Sequence, residues 1–268
     1  MPSQSWMAQA VVALALATVV AAQPTTSSVI LNIDLSRPFS TREAWHFIAT
    51  QGPPVSEDET ASGSEEPGKI QICLRAALTA PCDPQLLSTS RPASSANDSF
   101  TQPHYLKAVK IVYPHGRVDQ PLLFVQTSSL PSGDSNQLVL TQMLAYENSQ
   151  NRFVRVYQHT TGTNNNEEVR YISSGRLKGD IISADPTDNA PYAYWMTVNV
   201  LTPQYTYNTL LHYRSATHYG DNNPLAVIDS EMPNIERHLG YWKPGMALPL
   251  PSGACPRPRL VRMELWCN

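Results

Sequence analysis

Charge is scarce in this sequence, and no long apolar run follows residue 22. Charged side chains make up 15% of the 268 residues, and the formal net charge is only −3. So neutral a chain lacks the basic surface that phosphate neutralisation requires, which argues against nucleic acid as a partner. The motifs of common chemistries are missing as well. There is no GxSxG, no SxxK and no HExxH, so neither a nucleophile elbow nor a zinc-protease helix can be located. Neither GxxxxGKS/T nor GxGxxG occurs, which removes the usual phosphate cradles. No CxxC is present, and no His stands at zinc-finger spacing from a Cys. Neither a metal site nor a cofactor is expected.

What is present begins with a secretory signal. Met1 to Gln9 is polar, Ala10 to Val20 is apolar, and Val20-Ala21-Ala22 puts small residues before Gln23, as at a cleavage site. The apolar run falls short of the roughly 20 residues that cross a bilayer, and no membrane span is expected in residues 23–268. The n-region carries no Lys or Arg, so the terminal amine supplies its positive charge or the true start lies elsewhere. Export, to a periplasmic or extracellular location, is the expectation. It suits the four cysteines, Cys73, Cys82, Cys255 and Cys267. Local pairing, Cys73 with Cys82 and Cys255 with Cys267, closes the shortest loops at the least entropic cost.

Residues 23–268 read as a single exported β-rich domain. Ser27 to Asp34 alternates Val29, Leu31 and Ile33 on one face and predicts a strand. Ser40-Thr41-Arg42-Glu43 has the capping-box pattern and predicts a short helix through Ala44 to Ile48. Residues 55–68 are acidic, polar and free of aromatics, which predicts a flexible loop. From Tyr105 onward, short runs rich in Val, Ile, Leu, Tyr and Thr recur between Gly, Asn, Asp and Pro breaks, with no room for crossover helices. The fold class is therefore mainly β: an antiparallel meander, as a sandwich, barrel or propeller-like sheet. Leu225 to Asp229 reads as one more strand, residues 233–239 as a short helix, and Leu260 to Trp266 as a terminal edge strand.

Candidate site residues cluster late in the chain. Tyr219, Asp221 and Asn223 lie in a Gly-Asp-Asn-Asn-Pro turn, and Asn164, Asn165 and Asn166 in a loop between strands. Both segments suit turns by composition, and both offer amides and rings for ligand binding. An EF-hand reading of Asp221 fails, because Met232 stands where its closing Glu belongs and no Gly takes the sixth position. On a continuing strand, Asp229 and Glu231 would share a face, and with His218 nearby they are the candidate acid–base residues of a hydrolase. Aromatics from Tyr192 to Trp242 suit a sheet face, either packed in the core or open to a ligand. With no located nucleophile, the favoured reading is an exported cell-envelope protein that binds an envelope protein or glycan. The alternative is an exported hydrolase of envelope glycan or peptide.

Overall fold

The computed structural model describes residues 27–56, 63–83, 103–114, 120–188, 193–218, 222–250 and 255–267. The proposed leader, part of the acidic loop, Tyr219 and Asp221 lie outside the described residues. Three antiparallel meanders follow one another along the chain. Strands β1 (Ser28–Asp34), β2 (His46–Gln51) and β3 (Ile70–Arg75) form the first sheet. Strands β4 (Tyr105–Val112), β5 (Leu122–Ser128), β6 (Val139–Glu147) and β7 (Arg152–Thr161) form the second. Strands β8 (Glu168–Tyr171), β9 (Ile181–Pro186), β10 (Tyr194–Leu201) and β11 (Tyr207–Arg214) form the third. A hairpin of β12 (Pro258–Val261) and β13 (Glu264–Cys267) ends the chain.

Burial along β5 shows how the sheets stack. Leu122, Leu123, Phe124 and Val125 are consecutive and all buried. Strand side chains alternate between faces, so both faces of β5 must be covered. Leu123 and Val125 pack with Phe47, Ala49, Leu74 and Phe153 between the first and second sheets. Leu122 and Phe124 pack with Met143, Val169 and Ile181 between the second and third. The far face of the third sheet, through Ala184, Tyr194, Met196 and Val198, packs on helix α2 (Val227–His238). The order of layers is sheet, sheet, sheet, helix. Among the described residues, no helix is long and apolar enough to cross a membrane.

Three expectations need correction. The N-terminal helix is a single turn, α1 (Ser36–Phe39), closed by Ser40 in the left-handed region at φ 48°. The stretch expected to be helical enters β2 instead, because Trp45, Phe47 and Ala49 alternate into the core. Leu225 to Asp229 is no strand: Val227 opens α2, and Ile228, Met232, Ile235 and Leu239 recur at helical spacing against the third sheet. Pro233 sits inside this helix rather than near its start. It leaves one backbone carbonyl without its helical donor. Lastly, the terminal strand folds back on itself at Arg262 and Met263, both at positive φ, to pair β12 with β13. Cys73 is bonded to Cys82, and Cys255 to Cys267.

Candidate functional site

The second and third sheets do not cover each other fully. At one end the space between them is apolar. At the other it becomes polar, and beyond that the third sheet faces solvent. A bulge in β7 helps build this corner. The pairing of β6 with β7 shifts by one residue between Met143 and Leu144, which turns Tyr157 and His159 toward the third sheet. Bulges commonly re-aim side chains in this way.

His159 meets Asp185 of β9, with Nε2 2.6 Å from Oδ1. The Ser183 hydroxyl donates to Oδ2 of the same carboxylate at 2.8 Å. The Tyr157 ring stacks beside His159, with centroids 6.4 Å apart. Among the described residues its buried hydroxyl has no partner, and burial raises its pKa. Glu167 completes the corner. Burial raises its pKa, Asp185 adds to the effect, and the Gly162 N–H that donates to its carboxylate opposes it.

Strand register carries the site outward from this corner. Asp185 stands opposite Trp195, and Trp195 opposite Arg214; one rung on, Ser183, Thr197 and His212 align. Residues two apart share a face, so these six side chains form one patch. Trp195 is 40% exposed, and its ring lies parallel to His212, with centroids 4.9 Å apart and planes at 12°. His212 Nδ1 lies 2.9 Å from the Thr197 hydroxyl. The patch thus joins an indole–imidazole stack to a carboxylate, hydroxyls and an exposed guanidinium.

The order of the polar groups matters chemically. A nucleophilic triad needs the imidazole between hydroxyl and carboxylate. Here the carboxylate of Asp185 stands between Ser183 and His159. The corner can hold and orient a ligand, but it does not activate Ser183.

Of the residues expected to act, Asp229, Glu231, Asn223 and Asn164 make structural contacts. Asp229 pairs with Arg170, which also binds Glu168 at 2.9 Å. Glu231 is fully buried. Its carboxyl group accepts from Tyr213 at 2.7 Å, from Asn234 at 3.0 Å, and from Thr217. On a helix, positions i and i+2 do not share a face, so the strand geometry proposed for an acid–base pair is replaced. His218 is exposed and sits just beyond β11. Asn223 donates to Ser230 and to the Leu265 carbonyl, tying α2 to β13. Asn165 and Asn166 adopt positive φ, as their turn composition suggests. Asn164 binds the Asp134–Asn136 turn, and the Asn turn leads directly into Glu167 at the corner.

Of the patch and its corner, the sequence marks only Trp195, as one of the aromatics between Tyr192 and Trp242; His159, Asp185, Ser183, Thr197, His212 and Arg214 carry no local signal. The available signal was the alternation in Tyr194 to Leu201, which puts Trp195 on the face opposite Tyr194, Met196 and Val198. A wider groove of about 610 Å3 runs along the β6–β7 and β10–β11 turns. Three of its lining residues are held by neighbours outside it: Asn148 by Arg42, Tyr146 by Asn151, and Glu147 by Gln150. Among the described residues, no group of three or more His, Cys, Asp or Glu is placed to hold a metal ion. No family model matches the chain, and neither a curated protein nor a solved structure is significantly similar to it.

Proposed function

We propose that this chain is an exported binding protein of the cell envelope, and that it holds a glycan on the open face of the third sheet. The observation that carries the reading is Trp195, an exposed indole at the centre of a polar sheet face. Aromatic faces stack on the apolar faces of sugar rings, and a few convergent polar groups then fix orientation. Asp185, Thr197, His212 and Arg214 supply those groups. The Ser183–Asp185–His159 order supports binding over hydrolysis. Two disulfides, in a chain that opens with a signal-like run, support export.

The test is co-sedimentation of the protein with purified cell-wall glycan, compared with Trp195→Ala and Asp185→Asn. Both variants should lose at least about tenfold in affinity. Trp195→Ala should melt within a few degrees of the parent, because the indole is exposed. Equal binding by parent and Trp195→Ala would remove the proposal.

A further inference from the structure

We infer that the turn joining β8 to β9 carries a second site, a pocket for a small zwitterion that bears both an ammonium and a carboxylate. The inference is independent of the glycan reading. The pocket lies at the far end of β10, beside Leu201, which is about 20 Å along the strand from Trp195.

The pocket has a volume of about 330 Å3, and Asp180, Arg176, Lys178, Thr202, Leu210 and Tyr241 line it. Asp180, half-buried just before β9, contributes the one acidic side chain of its lining. The Asp180 backbone is fully used, since its N–H donates to Leu177 and its carbonyl accepts from Ile172. Its carboxylate, by contrast, has no hydrogen bond or ion pair among the described residues. Burial alone raises its pKa to about 6. Lys178 stands exposed at the rim, and its ammonium is likewise unpaired. Arg176 is fixed at the wall by its bond to the Tyr241 carbonyl.

Opposite charges on one cavity normally close on each other. Here, among the described residues, Asp180 forms an ion pair neither with Lys178 at the rim nor with Arg176 at the wall. A desolvated carboxylate without a partner is costly; at pH 7, above its raised pKa, Asp180 is ionised, and a ligand ammonium would supply the missing partner. The rim lysine then takes the ligand's carboxylate. Leu210 is 50% exposed and Tyr241 37% exposed, and these walls suit an apolar side chain between the two charges. The volume lies at the small end of ligand pockets, which fits an amino acid or a dipeptide rather than a longer peptide.

The experiment is calorimetric titration of the full chain with alanyl-leucine at pH 7. Its N-acetylated and C-amidated forms are titrated in parallel, and the series is repeated on Asp180→Asn and Lys178→Met. Saturable binding of the free dipeptide is expected. Acetylation or Asp180→Asn should weaken it at least about tenfold, and amidation or Lys178→Met should weaken it measurably. Asp180→Asn removes a desolvated charge, so it should melt no lower than the parent; loss of binding then reports the contact and not the fold. Three outcomes would overturn the inference: no saturation at millimolar dipeptide, equal binding of the acetylated peptide, or undiminished binding by Asp180→Asn.

Discussion

Glu231 offers the sharpest test of how the helix is held to the third sheet. Its side chain has no exposure and gathers three donors: Tyr213 in β11, Thr217 just past that strand, and Asn234 one turn along α2. Glu231→Ala leaves a hydroxyl on each of two residues and one amide without an acceptor. Each stranded donor costs about 1–3 kcal/mol, so even at the low end the sum is about 3 kcal/mol before any cavity term. For a chain of this size, that corresponds to a fall in Tm of about 10 °C. Glu231→Gln keeps one acceptor oxygen but turns an NH2 toward Asn234 or Thr217, and should cost about half as much. Urea titration followed by far-ultraviolet circular dichroism reads both values. If Glu231→Ala unfolds within about 1 kcal/mol of the parent, the carboxyl is no anchor, and its burial needs another reason. Glycan binding by Glu231→Gln, measured well below its transition, should match the parent, because Glu231 lies outside the patch.

Two further outcomes follow from named groups. Asp180 has a folded pKa of about 6, against 3.8 for the ordinary carboxyl. Between those values the folded state holds a proton that the unfolded chain has lost, so stability falls as pH rises from about 4 to 6. The full shift is worth about 3 kcal/mol, and partial solvent exposure reduces this to about 1–2 kcal/mol. Asp180→Asn should flatten that part of a stability–pH curve, and an unchanged slope would refute the assignment. The Cys73–Cys82 bond closes a loop of sequence separation 9, for which loop entropy gives about 2–3 kcal/mol. The double Cys→Ser variant should lose that much in urea titration; a loss under 1 kcal/mol would mean that the reduced chain is already ordered there.

The sequence shows its strands where one face is buried and the other is not. Tyr194 to Leu201 alternates cleanly because α2 covers Tyr194, Met196 and Val198, and the strand is legible for that reason. The apolar run at Leu122 to Val125 shows no alternation. It is legible only as a strand covered on both faces, the first hint that three sheets stack instead of two. The misread segments share a physical cause. Val227, Ile228 and Asp229 resemble a strand over a window too short to show the helical recurrence at Met232, Ile235 and Leu239. Pro233 then invites a helix boundary that packing against the third sheet overrides. Before Trp45, Ser40-Thr41-Arg42-Glu43 satisfies the capping pattern, but two-residue alternation into the first core decides the conformation. The patch was less legible still. Its members come from β7, β9, β10 and β11, and no local spacing places His159 beside Asp185; that meeting depends on a bulge and on the offset of two sheets.

The composition of the space between those sheets is itself an argument for function. Toward one end, Leu122, Phe124, Met143 and Ile181 fill it. Toward the other, the same strands present Gln126, Thr141, Ser183 and Asp185. Gln126 is held by Thr141 and the Val169 carbonyl, and Asp185 by Ser183 and His159. Stability alone favours apolar residues at such positions, since a satisfied polar pair contributes little net and an unsatisfied one is costly. Here two polar clusters stand in place of apolar packing, and Asp185 of the second lies directly opposite the exposed Trp195. Polar groups that replace apolar core and fix one carboxylate beside one indole are what the proposed binding surface requires. Under that proposal the second sheet has two duties: its apolar end holds the third sheet, and its polar end would orient the groups offered to the glycan.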